Sequence, residues 1–146
     1  MPCHIAVVRL REVVSEGSIG TTGRGVGPCM ETRFSRKGFV TVDMLDNPQT
    51  LEAAVEEAVR RFEPEINDLM GRFFISPEVS KCGRNALNYF AEVKIGDGKT
   101  LRDFFRDDGS IDINAVLKVY GKHGVDLRSH RTGDISYLLR LILGEG

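Results

Sequence analysis

Leu51-Glu-Ala-Ala-Val-Glu-Glu-Ala-Val-Arg-Arg-Phe62 decides the secondary-structure class of this chain of 146 residues. Leu51, Val55, Ala58, Val59 and Phe62 fall on one face, and Glu52, Glu56, Glu57, Arg60 and Arg61 take the other. That 3.6-residue period is the mark of an amphipathic helix. Thr50 is the expected N-cap, and Glu56 and Arg60 form an i,i+4 charge pair. Pro64 has no N–H to give to a helix, so a kink or restart is expected there. Ile66, Leu69, Phe73 and Phe74 then continue the apolar stripe.

Working back toward the N-terminus, residues 39–46 read as an extended or turn segment that closes at Asp46-Asn47-Pro48. Residues 28–37 read as a short helix, with Pro28 suited to its first turn and Gly38 to its end. Residues 17–27 are loop. In residues 5–15, Val7, Leu10 and Val14 have helical spacing, yet the run is β-branched, so helix and strand start both stay open.

Toward the C-terminus the pattern weakens. Residues 87–90 suit a helix, and Val93-Lys94-Ile95 beside Gly96-Asp97-Gly98 suits a hairpin edge. Residues 100–106 form a helical turn with Leu101, Phe104 and Phe105 inward, and residues 107–110 a turn. Asp112 caps a helix carrying Ile113, Val116, Leu117 and Tyr120 on one side. Gly133-Asp134 opens a final helix over residues 135–143, apolar around most of its circumference. It either docks into its own core or needs more protein to pack against. The sum is mostly α with a few short strands. Residues 1–146 form a single domain or part of one, with a glycine-rich segment and helix at 18–38 and a helical section at 50–146.

Composition narrows the function classes. Lys plus Arg number 20 against 21 Asp plus Glu, a net charge of −1, which lacks the positive excess of a nucleic-acid binder. No apolar run approaches the roughly 18 to 20 residues of a membrane span, and Met1-Pro-Cys-His lacks a signal peptide's layout. Cys3, Cys29 and Cys82 are far apart, with no Cys-x-x-Cys. This argues for a reducing, cytoplasmic setting and against a disulfide framework or zinc cage.

The chemistry concentrates in Gly20-Thr21-Thr22-Gly23-Arg24-Gly25-Val26-Gly27-Pro28, directly before a predicted helix. Glycine lets backbone N–H groups converge, and a following helix N-terminus adds partial positive charge. Thr21, Thr22 and Arg24 add side-chain donors. Such a loop can cradle a phosphate or carboxylate, although glycine-rich loops also serve simply as turns. It is no Walker A loop, because no Gly-Lys-Ser/Thr follows, and its spacing is not a dinucleotide fingerprint. Downstream, Arg33, Arg36 and Lys37 make the segment locally basic, with Arg33 and Arg36 on one helix face.

Ser18-Ile-Gly-Thr-Thr-Gly-Arg-Gly-Val-Gly-Pro28, followed by Glu31, Arg36 and Gly38, resembles the central signature of the adenylosuccinate synthetases. That signature runs Gly-Thr-Thr-Gly-Arg-Gly-Ile-Gly-Pro, then Ala-Tyr-Glu-Asp-Lys and an arginine. Val125-Asp-Leu-Arg to Gly144-Glu-Gly146 is similar to the family's helix leading to Glu-Gly-Ala-Gln-Gly. The resemblance implies the helix-rich middle section of an α/β P-loop-like synthetase, which joins IMP to aspartate using GTP and magnesium. It implies that Thr22 binds the IMP phosphate, that Arg36 reaches IMP in the neighbouring subunit of a homodimer, and that Thr21 and Arg24 contribute from the loop.

The departures from the family are specific. Its Gln-Trp-Gly-Asp-Glu-Gly-Lys-Gly-Lys loop with the catalytic aspartate, and the catalytic histidine after it, are not found; the chain has no tryptophan. His4, His123 and His130 stand in no matching context and read as ordinary surface or turn histidines. The Glu-Gly-Ala-Gln-Gly stretch, the arginine-rich aspartate loop and the guanine-reading Lys-x-Asp fall beyond Gly146. Cys29-Met30 replaces Ala-Tyr, and Arg33 replaces lysine. No catalytic or metal-ligating residue is therefore assigned, and the GTP and Mg2+ sites are expected outside this chain. The expectation is a partial synthetase holding part of the IMP site, inactive alone, within a homodimer or beside a complementing synthetase chain. Two other readings stay open: a non-catalytic helical module that binds a nucleotide phosphate or a protein, and a truncated product that folds poorly.

Overall fold

The computed structural model describes residues 1–15, 20, 22–73 and 85–131. Among these, the fold is mostly α with one two-stranded hairpin. Thr21, Phe74, Cys82 and the predicted helix over 135–143 lie outside the described residues.

The first segment is a helix, α1, Pro2–Val14. Pro2 suits its first turn, and Cys3, Ala6, Val7 and Leu10 recur on one buried face. That burial outweighs the β-branched bias of Val7, Val8, Val13 and Val14. The face packs along the longest helix, α3, Pro48–Phe73, in the most extensive contact between elements. From α3 come Leu51, Val55, Ala58, Val59, Phe62, Ile66, Leu69 and Phe73, all buried.

Three expectations for α3 are corrected. Asn47, not Thr50, caps the helix: its Oδ1 accepts from the Thr50 N–H at 3.2 Å, with Pro48 occupying the first turn. Arg60 pairs with Glu57 at 2.9 Å, one turn back at i,i+3, rather than with Glu56. The helix also runs unbroken through Pro64. Pro64 is exposed, so the helix bond it cannot make falls on the solvent side. A helical proline costs about 3 kcal/mol, whereas burying an Ile, Leu or Phe side chain returns about 1.5–3 kcal/mol each. Ile66, Leu69 and Phe73 stay in phase and win.

Helix α2 spans Val26–Ser35 and so starts and ends two residues earlier than expected. Arg36 leaves it with φ 55°, left-handed, followed by Gly38 with φ 66°. Arg33 and Arg36 therefore do not share a helix face. Residues 42–46 are a 3₁₀ turn, Val42–Asp46, where an extended or turn segment was expected. Gly38 sets the spacing here: a Cβ on it would lie 2.6 Å from the Ala58 amide nitrogen. The chain can press its backbone onto α3 only without a side chain.

The remaining described elements form a small second layer. Helix α4, Ala86–Glu92, is capped by Asn85, whose Oδ1 accepts from Asn88 N–H at 2.7 Å. Strand β1, Lys94–Gly96, pairs antiparallel with β2, Lys99–Thr100. A 3₁₀ turn, Leu101–Phe104, brings Leu101 and Phe104 inward, and Phe90 meets Phe105 at a ring separation of 4.7 Å. Helix α5, Ile113–Arg131, begins where Asp112 Oδ1 accepts from Ala115 N–H at 3.2 Å.

His4 corrects another expectation, because it is a core residue and not a surface one. Only 2% of it is exposed, and its ring meets Phe62 edge-on at 5.2 Å. Burial pushes its imidazole pKa down to about 3. A folded value below the unfolded one means that the unfolded chain takes up the proton first. Stability is then full above about pH 6.5 and is lost as pH falls toward 3. Between pH 7 and pH 5 this group alone should cost about 2 kcal/mol. Urea unfolding at the two pH values checks it, and His4→Leu should remove most of the difference. Gly38→Ala combines a left-handed φ with the collision at Ala58. It should destabilise the chain by about 2 kcal/mol or more, read as a lowered urea midpoint.

Candidate functional site

The glycine loop is held by α1. Gly25 has φ 75°, and a Cβ there would lie 2.7 Å from the His4 carbonyl carbon and 2.8 Å from the Ile5 nitrogen. Gly23, φ 62°, leaves room in the same way for the Arg9 guanidinium. Both positions need glycine for conformation and for space. The loop thus enters α2 with its backbone laid against the helix behind it.

Gly25 is the N-cap of α2 and brings no side chain to cap it, and no acidic residue sits in the first turn. Pro28 has no N–H, so the open donors of that turn are the amides of Val26 and Gly27. They stand at the positive end of the helix dipole.

A pocket of about 380 Å³ opens beside this turn, in the size range of small-molecule sites. Thr22, Gly23, Arg24, Gly25, Val26 and Gly27 form one wall, and Val8, Arg11 and Glu12 of α1 with Ser15 just after it another, with Glu31 from the second turn of α2. Arg11 is braced by Glu65 of α3 in a two-pronged pair at 2.7 and 3.0 Å. Donors come from the loop and from Arg11, and the lining carboxylates are those of Glu12 and Glu31.

The residues singled out from sequence divide between two places. Thr22 and Arg24 are exposed and line this pocket. Arg36 does not line it; it sits past the opposite end of α2, roughly 15 Å away at 1.5 Å of rise per residue. Thr21 lies outside the described residues. Arg9, Arg11 and Glu12 were not anticipated in sequence. Their spacing on one helix carries the signal, but it is legible only once residues 5–15 are read as helix. Among the described residues no three His, Cys, Asp or Glu side chains gather into a group that could hold a metal ion. Nor is any described helix long and apolar enough to cross a membrane.

Comparison with known proteins follows the same loop. The chain is 33% identical over 105 residues to the adenylosuccinate synthetase of Anaeromyxobacter sp., covering 65% of this chain and 23% of that protein. It is 44% identical over 75 residues to the enzyme of Desulfatibacillum aliphaticivorans, covering 51% and 16%. Adenylosuccinate synthetase 2 of Chromobacterium violaceum is 36% identical over 81 residues, covering 55% and 18%. The chain thus spans less than a quarter of the length of these relatives. No solved structure matches. The adenylosuccinate synthetase family model matches residues 1–108, and the chain belongs to that family.

Proposed function

We propose that this chain carries part of the IMP site of a cytoplasmic adenylosuccinate synthetase, a ligase of purine biosynthesis, and does not catalyse alone. The observation that supports the reading is that Thr22, Arg24 and the uncapped first turn at Val26 and Gly27 line one pocket. Thr22 Oγ1–H, the Arg24 guanidinium and the two amides donate to the phosphate oxygens. Thr21 joins them from the same loop. Glu12 and Glu31, which also line the pocket, accept from sugar hydroxyls. A nucleoside monophosphate has that polarity, anionic at one end and hydroxyl-bearing along its length.

GTP and Mg2+ belong to the family's reaction, and GTP supplies the energy for joining aspartate to IMP. The part we assign to this chain is binding and orienting IMP. General base, held metal and activated phosphate must meet in one place for catalysis. Of these, the described residues supply the cradle.

The family's homodimer finds support in the outer face of α2. Val26, Met30 and Phe34 are 61%, 41% and 78% exposed, at i, i+4 and i+8 along one helix. Such a stripe in water favours a partner surface. It leads directly to Arg36, the residue that would reach IMP held by the other subunit.

Calorimetry with IMP should show binding that Thr22→Ala weakens about tenfold or more, the loss expected for one hydrogen bond to a charged group. No IMP binding by the unaltered chain rejects the cradle. Supplied with IMP, aspartate and GTP, the chain should form no adenylosuccinate; measurable turnover overturns that half of the proposal. Sedimentation velocity should show a dimer that Phe34→Glu shifts to monomer, and a monomer at every concentration of the unaltered chain removes the dimer.

A further inference from the structure

A second pocket, of about 390 Å³, opens between the β1–β2 hairpin and α5 and shares no lining residue with the loop pocket. Three lysines line it: Lys99 from β2, and Lys118 and Lys122 one turn apart on α5. Its floor is apolar, from Ile95, Phe104 and Val119. One carboxylate lines it, Asp97 in the hairpin turn, and that group lies 3.3 Å from Lys122 Nζ. Outside the pocket, Asp103 interacts with Lys99 through its charge. Lys99 itself rests over the Phe104 ring, 5.5 Å from its centre.

In a chain with net charge −1, three cations against one lining carboxylate are a concentrated local excess. Their placement also runs against helix stability, because like charges at i,i+4 repel by a few tenths of a kcal/mol. Lys118 and Lys122 are also exposed, so they bury no polar head and fill no core. A sequence optimised only for folding would separate them.

We propose that this pocket binds a small polyanion of the phosphate or pyrophosphate class, independently of the glycine loop. Three ammoniums around one concavity match a compact group of two or more charges. A polynucleotide is disfavoured, because the net charge of −1 lacks the positive excess that a phosphate backbone calls for.

Titration of the full chain with inorganic pyrophosphate at low salt, followed by amide NMR, tests the site. Saturable shifts should centre on residues 95–99 and 118–122. Lys118→Gln with Lys122→Gln should weaken binding at least tenfold while the urea midpoint holds or rises. Asp97→Asn removes the competing carboxylate, and asparagine tolerates the φ of 52° there, so it should tighten binding two- to threefold. Thr22→Ala should leave these shifts unchanged even where it abolishes IMP binding, which separates this site from the proposed cradle. Absence of saturable shifts in this region overturns the proposal. So does affinity indifferent to the lysine pair, or a short oligonucleotide that binds here more tightly than pyrophosphate.

Discussion

The seam between α1 and α3, where Cys3, Ala6, Val7 and Leu10 close against the buried face running from Leu51 to Phe73, is what the glycine loop is built upon. The loop has little hydrophobic surface of its own. It takes its shape by laying Gly23 and Gly25 against the side of α1, and α1 is fixed only because its opposite face is buried. Gly38 repeats the device on α3, so α2 is pinned at both ends by glycines that touch a helix they do not belong to. At Gly25 and Gly38 a side chain is excluded because backbone meets backbone there, and at Gly23 the Arg9 guanidinium takes the space.

This arrangement explains why a short loop can hold open donors. An uncapped helix N-terminus is normally satisfied by a side chain or by water. With Gly25 as the cap residue and Pro28 in the first turn, the chain withholds the side chain that would compete with a ligand. Arg11, braced by Glu65, keeps the opposite wall in place without occupying the donors. That pair is exposed enough that its worth is a few tenths of a kcal/mol, so its contribution is orientation more than stability.

Much of this was legible from residue order. The stripe from Leu51 to Phe62 announced α3, and Asp112 announced the start of α5. The hairpin showed in Gly96-Asp97-Gly98, and the family in the run from Ser18 to Pro28. What escaped was decided by competition that a single stretch cannot display. Pro64 looked like a break because its local cost is visible, while the gain from Ile66, Leu69 and Phe73 depends on a partner helix distant in sequence. His4 looked superficial because nothing around it in the chain reveals Phe62. Arg33 and Arg36 looked like one face because the left-handed turn at Arg36 is set by Gly38 meeting Ala58. In the site, Thr22 and Arg24 could be named from the motif. The wall facing them could not, since Arg11 and Glu12 join it only through the fold.

The ten residues of α2 also make it a stiff rod with a socket at one end and Arg36 at the other. Held against α1 at Gly25 and against α3 at Gly38, the rod cannot easily tilt, so the loop pocket and Arg36 are kept at a set separation of about 15 Å, given 1.5 Å of rise per residue.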